Sequence, residues 1–341
     1  MTITDCALLV ADPAPPGAPA LLLRLDTDEG HSAWAEPAPE VEAGELHETL
    51  AEATDMVCGQ APADRGALWE RLAHLLDWYG RPAPAAAAAL SALDLALWQL
   101  AARQAGWPLY QLLGGRFFPR LDTYLPLAPG EEPAQPPAGG VLVTAGGDAE
   151  DAVALVEDLR RRWGDQPRLL VDLRESAPDR DTGQRLAQRL SAAEVYACLD
   201  LFPLLQGGDY AEVAAQVELT LAVGGQAAGL GDFRRLTRNT AFEAVVAEVR
   251  RCGGLTGAQR ICTLASAERK LVALVGGAWS PTLLLIQHLA STSGWYLPVA
   301  RGRDGALEQA PACADGFLEL PDQPGAGATL REEFLAAYQP L

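Results

Sequence analysis

Two charged residues close an otherwise apolar stretch, Leu169-Leu170-Val171-Asp172-Leu173-Arg174. The run has the length and composition of a buried strand. Asp172 then stands at its C-terminal end, with Arg174 two residues later on the same face. A carboxylate in that place can ligate a metal or move a proton, and a guanidinium beside it can pair with it in a fork or hold an anion. Asp172 and Arg174 are therefore candidate catalytic residues. Arg301 and Arg303 follow the last apolar run of the chain. Arg301 and Arg303 are candidate ligand holders.

Other chemistries find little support. Lys270 is the only lysine, so a lysine base has one candidate, and it stands at the start of a strand. The histidines His31, His47, His74 and His288 show no H-E-x-x-H spacing. His288, on an apolar helical face, reads as a packed core histidine. The six cysteines are scattered with no C-x-x-C pair, which is neither a disulfide framework nor a zinc pattern. A phosphate-binding glycine loop and a G-x-S-x-G elbow are both missing.

These residues need a frame, and 341 residues suffice for one barrel plus a smaller module. Residues 2–10, 20–27 and 31–36 read as an antiparallel meander, and residues 45–58, 65–78 and 85–104 as helices. From residue 119 the pattern changes. Short apolar strands at 121–127, 141–144, 168–173, 195–201, 219–223, 244–249, 271–275 and 295–299 alternate with helices, which predicts a parallel α/β barrel. Residues 129–140 are rich in Pro and Gly, so the first crossover helix is expected to be missing. A strand at 316–320 and a helix at 330–338 end the chain. The expected division is 1–118 for an α+β capping domain, 119–312 for the barrel and 313–341 for a segment returning to the cap.

An apolar fraction of 49% with 21% charged residues is that of a soluble globular protein. A net charge of −19 argues against a nucleic-acid surface or an anionic membrane as partner. The apolar runs look too short to cross a bilayer, and the N-terminus lacks a basic segment followed by an apolar core, so a cytoplasmic protein is expected.

The order of elements, with specific stretches, resembles the mandelate racemase/muconate lactonizing enzyme branch of the enolase superfamily. The stretches are Arg24–Gly30 followed by Ala33-Trp34-Ala35-Glu36, the run Ala89–Gly115, Cys252-Gly253-Gly254-Leu255-Thr256, and Leu320-Pro321-Asp322-Gln323-Pro324-Gly325. The resemblance implies an α/β fold: a modified TIM barrel of (β/α)7β type with an N-terminal α+β capping domain completed by the C-terminal tail. It also implies magnesium-assisted abstraction of a proton next to a carboxylate, in a racemase, epimerase, cycloisomerase or dehydratase, and a homo-oligomer.

Carried over residue by residue, that chemistry is mostly absent. The first metal acid falls on Asp172, a remnant position. The second falls on Leu201, with Asp200 adjacent but expected on the other strand face, and the third on Gly225. The paired lysines fall on Leu142 and Thr144, and the histidine on Val275 or Gly276. Glu248, five residues before Gly253, stands for the family's aspartate and so is the third candidate catalytic residue; His31, after the turn Asp28-Glu29-Gly30 in a cap whose loops shape the substrate pocket in related enzymes, is a third candidate ligand holder. The expectation is a pseudoenzyme without magnesium or other cofactor, in which Arg174 pairs with Asp172 in place of the cation. Its role would be to bind a small carboxylate or to assemble. The alternative is a rebuilt, metal-independent isomerase or lyase acting on a small carboxylate through Asp172, Arg174 and Glu248.

Overall fold

Alternating burial in the first 36 residues builds the cap. In β1 (Ile3–Val10), β2 (Leu21–Thr27) and β3 (Ser32–Ala35), Leu23 and Leu25 pair with Ala35 and Ala33 on the buried face, while Arg24, Asp26 and Trp34 turn the other way. The structure is a computed structural model. It describes all 341 residues except 128–129, 132, 134, 175, 178, 204–206 and 303–304.

Two helices pack on this sheet, α1 (Ala43–Val57) and α3 (Pro84–Ala105), and α2 (Arg65–Leu75) packs against both of them. Proline at its first turn starts α3, and Gly106, at φ +69°, ends it. The expectation that no apolar run is long enough for a bilayer is corrected here. By length and composition α3 qualifies, yet nearly all of it is buried against β2, β3 and its neighbouring helices, which makes it a core helix. A short turn of helix, α4 (Leu109–Leu112), leads to the barrel.

The barrel strands are β4 (Arg120–Leu127), β5 (Gly140–Thr144), β6 (Arg168–Asp172), β7 (Ala197–Leu199), β8 (Thr220–Val223), β9 (Ala244–Glu248), β10 (Leu271–Val275) and β11 (Val299–Ala300). From β4 to β10 they lie side by side, parallel, in chain order. β11 pairs with β4, and a bridge from Tyr296 to Val272 joins its approach to β10, which closes the sheet. Between the strands run α5 (Ala149–Trp163), α6 (Arg180–Ala192), α7 (Gly207–Ala214), α8 (Leu230–Arg238), α9 (Gly254–Ala267) and α10 (Ser280–Ser291). Among the described residues between Leu127 and Gly140 there is no helix.

The returning segment divides in two. The hairpin of β12 (Cys313–Ala314) and β13 (Phe317–Glu319) pairs antiparallel with β4 of the barrel. Gly316, at φ +83°, lies backbone to backbone on Gly139, where a Cβ would come within 2.4 Å of the Gly139 nitrogen. Beyond it, α11 (Glu332–Leu335) and β14 (Gln339–Pro340) return to the cap, where β14 adds to the edge of β1.

Two strands stop earlier than the apolar pattern suggests. β6 ends at Asp172 and β7 at Leu199, because Arg174 (φ +50°) and Asp200 (φ +48°) adopt the left-handed conformation and break the alternation of side chains.

Candidate active site

Parallel strands deliver their last residues to one end of a barrel, and there Asp172, Asp200, Glu248, Arg174 and Arg250 line a common cavity of about 150 Å³. A larger, open hollow of about 760 Å³ is lined by Glu194, Tyr196 and Glu218, at the opposite ends of β7 and β8. It is the wrong end for chemistry on this architecture.

Asp172 is half-buried, with 23% of its side chain exposed. Its Oδ1 accepts the backbone N–H of Arg174 at 3.0 Å, a local turn bond. The Arg174 guanidinium swings outward, 67% exposed, and its Nε stays 3.9 Å from Oδ2. The forked pair expected of Asp172 and Arg174 is therefore not formed; the left-handed turn at Arg174 takes its side chain off the strand face. Burial pushes the Asp172 carboxyl above the ordinary range, opposed by the Arg174 N–H and guanidinium and reinforced by the charge of Glu248.

The fork is formed elsewhere. Arg250, two residues past Glu248, donates from Nε and Nη2 to the two Glu248 oxygens, both at 2.9 Å. Its Nη1 donates at 2.5 Å to Glu36, the residue after β3 of the cap. All three are nearly closed to solvent: Arg250 is 7% and Glu36 5% exposed, and the Glu248 side chain 13%. Burial raises the Glu248 carboxyl, but Arg250 outweighs it and the net shift is downward. Glu36, left with one bond of the shared cation, is pushed by burial up to about 7. Sequence reasoning missed Glu36 and Arg250, although Glu248-x-Arg250 repeats the Asp172-x-Arg174 spacing.

Asp200 turns into the cavity instead of facing away from it as expected, because its left-handed backbone breaks the strand's alternation. Its oxygens accept the N–H groups of Gly224 at 2.8 Å and Gly225 at 3.1 Å. Leu201 is fully buried, and a Cβ on Gly225 would come within 2.3 Å of Asp200 Oδ2. Among the described residues, no group of three His, Cys, Asp or Glu side chains is placed to hold a metal. Magnesium requires near-octahedral oxygen coordination, and this donor set does not fit it. Asp172 offers one oxygen clear of hydrogen bonds, Asp200 faces backbone N–H groups, and both Glu248 oxygens face a guanidinium.

The remaining candidates that the structure describes lie apart from this cavity. Arg301 directs Nη1 toward the Cys313 thiol at 3.6 Å, and its Nε and Nη2 are buried without hydrogen bonds. Arg303 lies outside the described residues. His31 is exposed on the β2–β3 turn, its backbone held by the Thr27 hydroxyl. His288 is fully buried: Nδ1 accepts the Tyr110 N–H at 3.2 Å, so Nε2 carries the proton given to the Ala326 carbonyl at 3.0 Å. Burial lowers its pKa to about 4, as suits a neutral core imidazole. Lys270 bonds the Phe242 carbonyl at the far end of the barrel.

The cap grips the barrel chiefly at the turn after β9. Trp69 and Trp78 donate their indole N–H groups to the carbonyls of Gly253 (2.9 Å) and Cys252 (3.1 Å). The buried Asp94 carboxylate accepts the Thr256 N–H at 2.8 Å and its hydroxyl at 2.7 Å. Gly253 and Gly254, both at positive φ, allow this approach; a Cβ on Gly254 would meet Asp94 at 2.5 Å.

Residues 15–114 match the family model described as mandelate racemase/muconate lactonizing enzyme, N-terminal domain. Residues 129–334 match the one described as enolase C-terminal domain-like. A D-galactonate dehydratase of Ralstonia nicotianae is 29% identical over 272 residues, covering 72% of this chain and 69% of that protein. One of Pectobacterium atrosepticum is 27% identical with the same coverage. In three dimensions the chain is similar to the 3,6-anhydro-D-galactonate cycloisomerase of Zobellia galactanivorans, with a TM-score of 0.87 at 18% identity, covering 99% of this chain and 100% of the other. It is also similar to a mandelate racemase/muconate lactonizing enzyme of Jannaschia sp. CCS1, with a TM-score of 0.85 at 21% identity, covering 100% and 98%.

Proposed function

The chain belongs to the mandelate racemase/muconate lactonizing enzyme family of the enolase superfamily, and from that premise we propose that it binds a small hydroxy acid without magnesium-assisted proton abstraction. One observation carries the reading. At the strand ends that should present metal acids stand Leu201 and Gly225, and the carboxylates nearby are turned to protein donors. Two groups still face the cavity with capacity to spare. Asp172 Oδ2 can accept a hydroxyl, and the exposed Arg174 guanidinium can take a carboxylate. A 2-hydroxy carboxylate presents that donor–acceptor pair, and the named activity of the D-galactonate dehydratases concerns a ligand of that class.

A second reading, a metal-independent isomerase or lyase, is favoured by one feature. Asp172 is a cavity carboxyl raised by burial, the condition of a carboxylate tuned for proton transfer. One measurement separates the two. Proton NMR in deuterium oxide follows C2–H exchange in a panel of hydroxy acids that includes D-galactonate, with and without magnesium, beside thermal shifts for the same panel. Binding without exchange is the expected result. Exchange that requires magnesium would overturn both readings, and exchange indifferent to magnesium would favour the second.

A further inference from the structure

Glu36, Arg250 and Glu248 bury two acids around one base at the junction of cap and barrel. Ionised together they would leave an uncompensated negative charge in a dry site, an expensive arrangement. The hydrogen bonds show where the imbalance lies. Arg250 gives its fork to Glu248 and one N–H to Glu36 Oε1. The other Glu36 oxygen, Oε2, is buried with no hydrogen bond, and so is the hydroxyl oxygen of Thr282 on α10; Thr282 lies beside the Glu36 carboxyl, and a proton donated from its hydroxyl would pull that carboxyl down, against the larger upward push of burial. A hydroxyl both donates and accepts, so Thr282 can serve either form of the acid; what favours the neutral form is the second buried carboxylate on a single guanidinium.

We propose that Glu36 is protonated in the closed molecule, its Oε2–H donating to Thr282 Oγ1, and that this neutral acid fastens the cap over the barrel mouth, so that loss of the proton loosens the cap. The charged groups acting on Glu36 are Arg250, from the turn after β9, and Glu248, from the end of that strand. From the loop after β10 comes bare backbone: a Cβ on Gly277 would meet Arg250 Nη1 at 2.7 Å and Glu36 Oε1 at 3.2 Å. α10 contributes the uncharged Thr282 hydroxyl. The chain continues from Glu36 to Pro39 and Glu40, which line the mouth, so any loosening at Glu36 reaches the cavity. The inference does not depend on what the mouth binds.

The sign follows from the buried carboxyl, raised from 4.5 to about 7. The folded state holds this proton more tightly than the unfolded chain. The stability it contributes is complete below pH 4.5 and is lost as pH rises through about 7. Glu36→Gln is a neutral mimic of the protonated form: its carbonyl accepts from Arg250 and its amide donates to Thr282. Melting is measured from about pH 5.5 to 8.5, and at the alkaline end the variant is expected to melt roughly 2–4 °C above the wild type with a flatter pH dependence. Parallel curves, or a variant less stable at every pH, would show that Glu36 is ionised and overturn the proposal. Should the variant not fold, hydrogen exchange of the wild-type amides at residues 36–41, corrected for intrinsic rates, reads the same equilibrium. Faster exchange at pH 8 than at pH 6 supports the fastening, and equal rates refute it. Thr282→Val supplies a further arm: it is expected to lower Tm at acid pH and converge with wild type at alkaline pH, and a loss uniform in pH counts against the shared proton.

Discussion

Asp172 and Glu248 are two versions of one local design. Each is the last residue of a parallel strand, each is followed two residues later by an arginine, and each accepts that arginine's backbone N–H, at 3.0 and 3.1 Å. They end in opposite electrostatic states. Glu248 holds a buried fork and is shifted down; Asp172 has a guanidinium 3.9 Å away, 67% exposed, and is shifted up. The spacing of acid and base does not decide this. The cap does: its tryptophans, Ser91 and Asp94 seize the turn after β9, and Glu36 gives Arg250 a second partner. No such bonds from the cap hold the described residues of the turn after β6. A guanidinium beside a carboxylate becomes a strong partner only where water is excluded from both.

The contrast breaks most visibly at the arginines. Arg250→Met leaves the Glu248 carboxylate buried without its cation and the Glu36 carboxyl without its donor, a loss of about 3–5 kcal/mol. Arg174→Met removes an exposed, loosely placed charge and should stay within about 0.5 kcal/mol. Urea unfolding of both variants at neutral pH measures the difference. Equal losses would mean that Arg174 is engaged as firmly as Arg250, and the two ends would then be alike.

A smaller effect tests Asp200, the carboxylate between them. Gly225→Ala places a methyl 2.3 Å from Asp200 Oδ2. Displacing that carboxylate from the N–H groups of Gly224 and Gly225 should cost about 1–3 kcal/mol. A neutral substitution by the same denaturant measurement would show that Asp200 is not fixed by those bonds.

The elements that frame these ends were legible because their signals are local. Alternation marks β2 and β3, proline and glycine bracket α3, and apolar runs separated by amphipathic stretches mark the barrel. The site was legible only in outline. Asp172, Arg174 and Glu248 do reach one cavity, but the face of Arg174 and that of Asp200 were inferred by extending strand alternation past residues with positive φ. That conformation is rare for side chains of this kind and carries no sequence mark here. The Arg250–Glu36 bond joins residues 214 apart in the chain, and periodicity does not register such a contact. Half of that bond was within reach, since Glu248-x-Arg250 displays the spacing that drew attention to Asp172.

The finest test asks whether the Asp172 charge is a burden where that of Glu248 is an asset. Burial raises the Asp172 carboxyl, so its ionisation costs stability that is present at low pH and lost as pH rises through its folded value. Glu248, shifted down, behaves oppositely: its contribution is present above the ordinary carboxylate range and lost on acidification. Asp172→Asn keeps an oxygen for the Arg174 N–H and removes the charge, including its repulsion of Glu248. The variant is expected to match wild type in acid and to melt higher as pH rises, by at most about 2 °C near pH 8. Calorimetric scans across that range read the sign directly. If the variant instead melts lower near pH 8, Asp172 draws net stability from Arg174 in spite of the distance, and the dry cap-covered turn ceases to be what separates the two acids.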